Sequence, residues 1–191
     1  MKNSTKITIP TYITLVRLLV APIMVPFFIV HYLPAQDVFI NIAIAILFLF
    51  FGFTDFLDGF FARKYCQQTK IGATLDHLAD KFLTFSALIA LLAVGKISYI
   101  FVLLLVGREL LIMGLREIAL EHGSLIKVAS SGKLKTCLHI GTITWIIINP
   151  CVQSRICFFN QVQLILLVAS VALAWFSAAQ YFIIFYRSLK K

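Results

Sequence analysis

The chain reads as an all-α, polytopic membrane protein with six transmembrane helices, and three observations predict it. Apolar residues fill 61% of the 191 positions and charged residues 13%, against about 45–50% and 25% in soluble domains. Charge-free runs at Leu18–Val30, Val38–Thr54, Phe82–Val94 and Gly141–Ser154 approach or reach bilayer-spanning length once their flanks are added. The connecting segments are short, and no Pro/Gly/Ser-rich linker, low-complexity tract or fixed-period repeat divides the chain. A single integral-membrane domain over residues 1–191 follows.

The first span is expected over Tyr12–Leu33. It begins late, carries Arg17 and lacks a small-x-small cleavage site before the next span, so it reads as a permanent helix rather than a removable signal. Val38–Phe61 and Ala73–Val94 form the second and third spans, and their facing ends are unusually rich in acid. Ile97–Leu120 is the fourth, interrupted by Arg108, Glu109, Arg116 and Glu117. Leu134–Cys151 and Phe159–Tyr186 complete the set.

Basic residues orient the spans. Lys2, Lys6, Arg63, Lys64, Lys70, Lys127, Lys133, Lys135, Arg187, Lys190 and Lys191 gather on one side, eleven in all, and only Lys96 and Arg155 on the other. That asymmetry places both termini in the cytoplasm. The net charge of +9 then needs no nucleic-acid partner, because basic groups at the cytoplasmic face attract anionic lipid headgroups. None of Cys66, Cys137, Cys151 and Cys157 has C-x-x-C spacing, which argues against zinc or thiol-redox chemistry. Cys151 and Cys157 flank an outer loop, where they are either a disulfide or two apolar helix-end residues.

Charge is scarce, yet four of the eight acidic residues fall within Asp55–Asp80. Asp55 and Asp58 are spaced i, i+3 and Asp76 and Asp80 i, i+4, so each pair shares one face of its helix. Counted from Arg63 and Gly72, the deeper pair Asp55 and Asp80 lies roughly 12 Å inside the boundary and the shallower pair roughly 6–8 Å. Antiparallel neighbours would present the carboxylates at two matched levels on the cytoplasmic side. Four ionised acids there need compensation. Protonation would suit a proton relay, and ion pairing finds only Lys81 nearby. Hard divalent cations held by oxygen ligands fit best, and two could be accommodated. Gly59, Ala62 and Gly72 would let backbone approach either another helix or a ligand, and Arg63 at the lip could take a phosphate.

These residues resemble the signature of the CDP-alcohol phosphatidyltransferase family, D-x2-D-G-x2-A-R-x8-G-x3-D-x3-D, filled by Asp55, Asp58, Gly59, Ala62, Arg63, Gly72, Asp76 and Asp80 with every spacing intact. At residue frequencies near 5%, chance agreement somewhere in the chain has a probability on the order of 10⁻⁸, so coincidence is not the explanation. "IPTYITLVRLLVAPIMV", "GRELLIMGLREIA" and "SGKLKT" are similar to segments of the family's bacterial phosphatidylglycerophosphate synthases. The resemblance covers the chain up to about Thr136, and the last two spans match only in hydropathy. Thr11 replaces a common Asn and His77 a common Pro.

The resemblance implies transfer of a phosphatidyl group from CDP-diacylglycerol to an alcohol at a cytoplasmic-side active site of a bacterial inner-membrane protein. It implies one or two Mg²⁺ or Mn²⁺ ions on Asp55, Asp58, Asp76 and Asp80. Asp80 would also act as general base. Asp55, Asp58, Gly59, Ala62, Arg63 and Gly72 would bind the cytidine diphosphate, and a homodimer is expected. Among acceptors the resemblance favours glycerol 3-phosphate over serine, inositol phosphate or phosphatidylglycerol. Arg108, Arg116, Lys133 and Lys135 are the candidate ligands for its phosphate. Their competing explanation is internal Glu–Arg pairing plus positive-inside anchoring. A divalent-cation or proton-coupled transporter is the alternative from another class, since intramembrane acids also mark ion paths. Against it, no second acidic set lies toward the opposite face.

Overall fold

The computed structural model describes residues 9–35, 37–64, 70–121, 131–149 and 158–189, with side chains over 19–35, 37–54, 81–119, 135–149 and 158–185. Six α-helices and one 3₁₀ turn account for nearly all of them, and no strand occurs among the described residues. The all-α expectation holds. The chain forms two compact units, residues 1–94 and 95–191.

The first unit contains α1 (Ile9–Tyr32), the 3₁₀ turn Leu33–Ala35, α2 (Val38–Lys64) and α3 (Lys70–Ala93). Helix α1 packs mainly on α3 and also on α2. Its inward stripe is Ala21, Val25, Ile29 and Leu33, repeating every four residues and all buried. Pro22 and Pro26 sit inside α1, each removing one N–H from the helical ladder. Asp37 starts α2 as an N-cap: its carboxylate accepts from the Phe39 N–H at 2.9 Å. From there Ile44, Ala45 and Phe48 carry the buried face. Helix α3 buries Leu83, Ala87, Leu88 and Leu91 and ends at Ala93, two residues before Gly95, whose φ of 77° is the left-handed conformation common just past a helix C-terminus.

The second unit contains α4 (Tyr99–Glu121), α5 (Ser131–Ile148) and α6 (Phe158–Leu189), with α4 and α5 each packed on α6. Polar side chains tie these helices together. Thr142 of α5 meets Ser170 of α6 at 3.1 Å while donating to its own Leu138 carbonyl at 2.7 Å. Asn149, at the end of α5, donates to Asn160 and Gln163 of α6, both at 2.7 Å. Gln163 in turn donates to the Lys96 carbonyl at 2.6 Å, and the Lys96 ammonium donates to the Asn149 and Ile146 carbonyls. The loop before α4, the end of α5 and the start of α6 are thus closed into one hydrogen-bonded ring.

Large apolar side chains are exposed among the described residues. Leu19, Ile23 and Phe27 on α1, Phe39 and Phe53 on α2, Leu103 on α4 and Ile165 on α6 are all exposed, a surface suited to lipid rather than water. Among the described residues, Phe158–Phe185 is the one segment long and apolar enough to cross a membrane unaided. Leu19–Ala35, Val38–Thr54, Lys81–Ala93 and Lys135–Ile148 are shorter apolar stretches. The six helices fall where the six spans are expected, with ends moved by up to three residues. Helix α5 both starts and stops three residues early, at Ser131 and Ile148.

Candidate active site

The eight signature residues all fall on helices. Asp55, Asp58, Gly59, Ala62 and Arg63 belong to the last turns of α2, and Gly72, Asp76 and Asp80 to the first turns of α3. The i, i+3 and i, i+4 spacings are therefore helical spacings, as the sequence predicts. The side chains of all eight, and the connecting residues 65–69, lie outside the described residues, as do Cys66, Cys151 and Cys157. At the rim, Thr54 donates to the Phe50 carbonyl at 2.8 Å. Thr84 likewise caps the Lys81 carbonyl at 3.0 Å. Both hydroxyls are turned onto their own helices.

The donor set suits a hard divalent cation. Carboxylate oxygens are the ligands such ions prefer, and two carboxylates from each of two consecutive helices supply enough of them. Asp55, Asp58, Asp76 and Asp80 are the residues that would hold it. Among the described residues no group of three or more His, Cys, Asp or Glu side chains comes together.

The second cluster lies mostly among the described residues. Arg108 and Glu109 are adjacent on α4, and Lys135 is the fifth residue of α5. All three are buried, with side-chain exposures of 5%, 12% and 9%. One oxygen, Glu109 Oε1, accepts from Arg108 Nη1 at 3.0 Å and from Lys135 Nζ. Arg108 also reaches α6, where Nε donates to the Ala174 carbonyl at 2.9 Å and Nη2 to Ser177 Oγ at 3.3 Å. Of the four predicted phosphate ligands, the structure thus gathers Arg108 and Lys135 around a shared carboxylate. Arg116 stands eight residues further along α4, half-buried, and makes no hydrogen bond or ion pair among the described residues. The Lys133 side chain lies outside them.

Arg108 is held internally on three sides, so the Glu–Arg pairing expected from sequence as the competing explanation does occur here. Sequence reading missed its partners on α6. Ser177 and the Ala174 carbonyl lie 69 and 66 residues away, and nothing in the run of small residues from Ala169 to Ala179 singles them out. Sequence places Lys96 in an outer loop; the clue to its buried ring is the set of amides at Asn149, Asn160 and Gln163 in apolar surroundings.

Comparison with known proteins adds to this geometry. The CDP-alcohol phosphatidyltransferase family profile matches residues 7–176, crossing both units. A CDP-diacylglycerol–glycerol-3-phosphate 3-phosphatidyltransferase of Yersinia enterocolitica is 34% identical over 184 residues, covering 92% of this chain and 93% of its own. The protein of the same name from Wigglesworthia glossinidia brevipalpis is 34% identical over 195 residues, with 96% and 98% covered. That of Haemophilus influenzae is 36% identical over 149 residues, with 73% and 77% covered.

Proposed function

The chain belongs to the CDP-alcohol phosphatidyltransferase family, and on that premise we propose that it transfers the phosphatidyl group of CDP-diacylglycerol to sn-glycerol 3-phosphate, giving phosphatidylglycerophosphate and CMP. One observation carries this: the match to relatives of that name runs over nine-tenths of both chains. The eight-position signature stands intact within it.

Reaction and residues fit chemically. A hydroxyl of the acceptor attacks the phosphatidyl phosphorus, the new P–O bond forms, and the P–O bond to CMP breaks. The hydroxyl proton goes to Asp80 as the general base. Asp55, Asp58 and Asp76, with Asp80 completing the set, would hold Mg²⁺ or Mn²⁺, which when bound would neutralise the pyrophosphate charge. Gly59, Ala62, Arg63 and Gly72, with Asp55 and Asp58, hold the cytidine diphosphate. Arg108, Arg116, Lys133 and Lys135 attract the acceptor phosphate. The family match crossing residue 95 supports both units acting as one domain. The exposed apolar side chains and the eleven-to-two basic asymmetry support a multi-pass inner-membrane protein with cytoplasmic termini, acting as a homodimer.

Membranes containing the protein are incubated with CDP-diacylglycerol, labelled glycerol 3-phosphate and Mg²⁺. Chloroform-soluble label should appear, and should vanish with EDTA and in Asp58→Asn and Asp80→Asn. Full activity in either variant would reject the aspartate assignment. Serine, inositol phosphate and phosphatidylglycerol, offered separately as acceptors, should give no product.

A further inference from the structure

Helices α4 and α5 both pack on α6, and the Lys135–Glu109 ion pair links α4 and α5 directly. The carboxylate that makes this link is itself fixed. Arg108 binds Glu109 Oε1 while two other guanidinium nitrogens are pinned to the Ala174 carbonyl and Ser177 on α6. A chain of fixed contacts therefore runs from the α6 backbone through Arg108 and Glu109 to the Lys135 ammonium. A lysine ammonium stands on a flexible stem of four methylenes, so its fixed partners set where the charge sits. The Glu109 oxygen is one such fixed partner and takes one of the ammonium donors. It also lies between two buried cations that would otherwise repel each other at short range.

We infer that Glu109 is a positioning residue: its carboxylate sets the Lys135 ammonium for the acceptor's phosphate, through an anchor that Arg108 ties to α6. The inference rests on the proposed reading of Lys135 as a ligand for that phosphate. Glu109 itself is an anion and does not touch the phosphate. Its replacement acts on acceptor binding alone and leaves the lipid donor unaffected.

The test compares Glu109→Gln, Glu109→Asp, Lys135→Met and the Glu109→Gln/Lys135→Met double variant, with KM measured for each substrate in detergent-lipid micelles. Loss of one charged hydrogen bond corresponds to roughly tenfold or more in affinity. Lys135→Met should therefore raise KM for glycerol 3-phosphate about tenfold, and Glu109→Gln by a similar factor. KM for CDP-diacylglycerol should stay within about twofold throughout. Glu109→Asp keeps the charge and should recover most of the loss, because the lysine stem can follow a carboxylate one methylene shorter. The double variant should be no worse than Lys135→Met, since both changes break one link. An unchanged acceptor KM in Lys135→Met would remove the phosphate-ligand reading and the inference with it. A raised KM in Lys135→Met beside a normal one in Glu109→Gln would overturn the inference alone. So would equal effects on both substrates, or additivity in the double variant. Should Glu109→Gln yield no folded protein, Glu109→Asp decides: a selective acceptor effect of about threefold supports positioning, and an equal effect on both substrates overturns it.

Discussion

The described interiors of the two units are built on different principles. Between α1, α2 and α3 the buried side chains are aliphatic or aromatic apart from Asn41 and Thr84. Among α4, α5 and α6 they include Lys96, Arg108, Glu109, Lys135, Thr142, Asn149 and Ser170. Lipid tails are as apolar as leucine, so apolar contact alone drives helices together weakly in a bilayer. The first unit relies on close approach through Ala21, Ala45, Ala87 and Ala90. The second adds directional bonds, which fix register as well as contact.

Two buried lysines sharpen the contrast within the second unit. Lys135 is matched by a carboxylate, whereas Lys96 is matched, among the described residues, by the carbonyls of Ile146 and Asn149 at the end of α5. A helix C-terminus carries partial negative charge and suits a cation. It does not offset the full cost of burial: desolvation lowers the Lys96 ammonium from 10.5 to about 8. The lysine paired with an acid belongs to the candidate acceptor cluster. The one paired with carbonyls belongs to a structural ring.

If directional bonds hold the second unit, the largest effect on stability should come from Asn149. Its amide gives two 2.7 Å bonds to α6 and its carbonyl receives Lys96. Asn149→Leu leaves the Asn160 and Gln163 oxygens without that donor, a cost of about 2–4 kcal/mol. The melting temperature in dodecyl maltoside should fall by several degrees. Asn41 makes the opposite case. It is fully buried, and neither side-chain atom finds a hydrogen-bond partner among the described residues. Asn41→Leu should therefore be neutral or raise the melting temperature. Equal losses in the two variants would erase the distinction between the units.

Sequence alone revealed the parts of this picture that are local. Six helices are legible because each apolar run is bounded by charge, and the Asp55–Asp80 signature because its spacings are those of single helical turns. The second unit's networks were not legible. Lys96 finds the end of α5 across 53 residues and Arg108 finds α6 across 66, and periodicity carries no information about such pairings. Arg108, Glu109 and Lys135 were visible as charges out of place; that one glutamate oxygen serves both cations was not.

Alkaline pH should separate Lys96 from every other group in the ring. Below pH 8 the ammonium is charged in both folded and unfolded protein, and the burial penalty is fully present. Between about 8 and 10.5 the folded protein has released the proton while the unfolded chain keeps it. Unfolding then takes up a proton, so stability rises with pH across that window. The gain approaches roughly 3 kcal/mol at its upper end. The difference in melting temperature between wild type and Lys96→Met should move in favour of wild type from pH 7.5 to 9.5. A pH-independent difference would mean that Lys96 is better solvated than its surroundings indicate.

The smallest effect is expected where a polar link has a local substitute. Ser170 meets Thr142 at 3.1 Å, but the Thr142 hydroxyl also donates to the Leu138 carbonyl of its own helix at 2.7 Å. Ser170→Ala removes the partner on α6 without orphaning the threonine. The bond then resembles the average interhelical hydrogen bond in lipid, worth about 0.6 kcal/mol, and the melting temperature should shift by no more than about 2 °C. Thr142→Val removes both bonds and leaves Ser170 short of a partner, so it should cost more. A loss in Ser170→Ala as large as that in Asn149→Leu would show that any polar contact with α6 holds the second unit equally, and that the Lys96 ring has no special place in it.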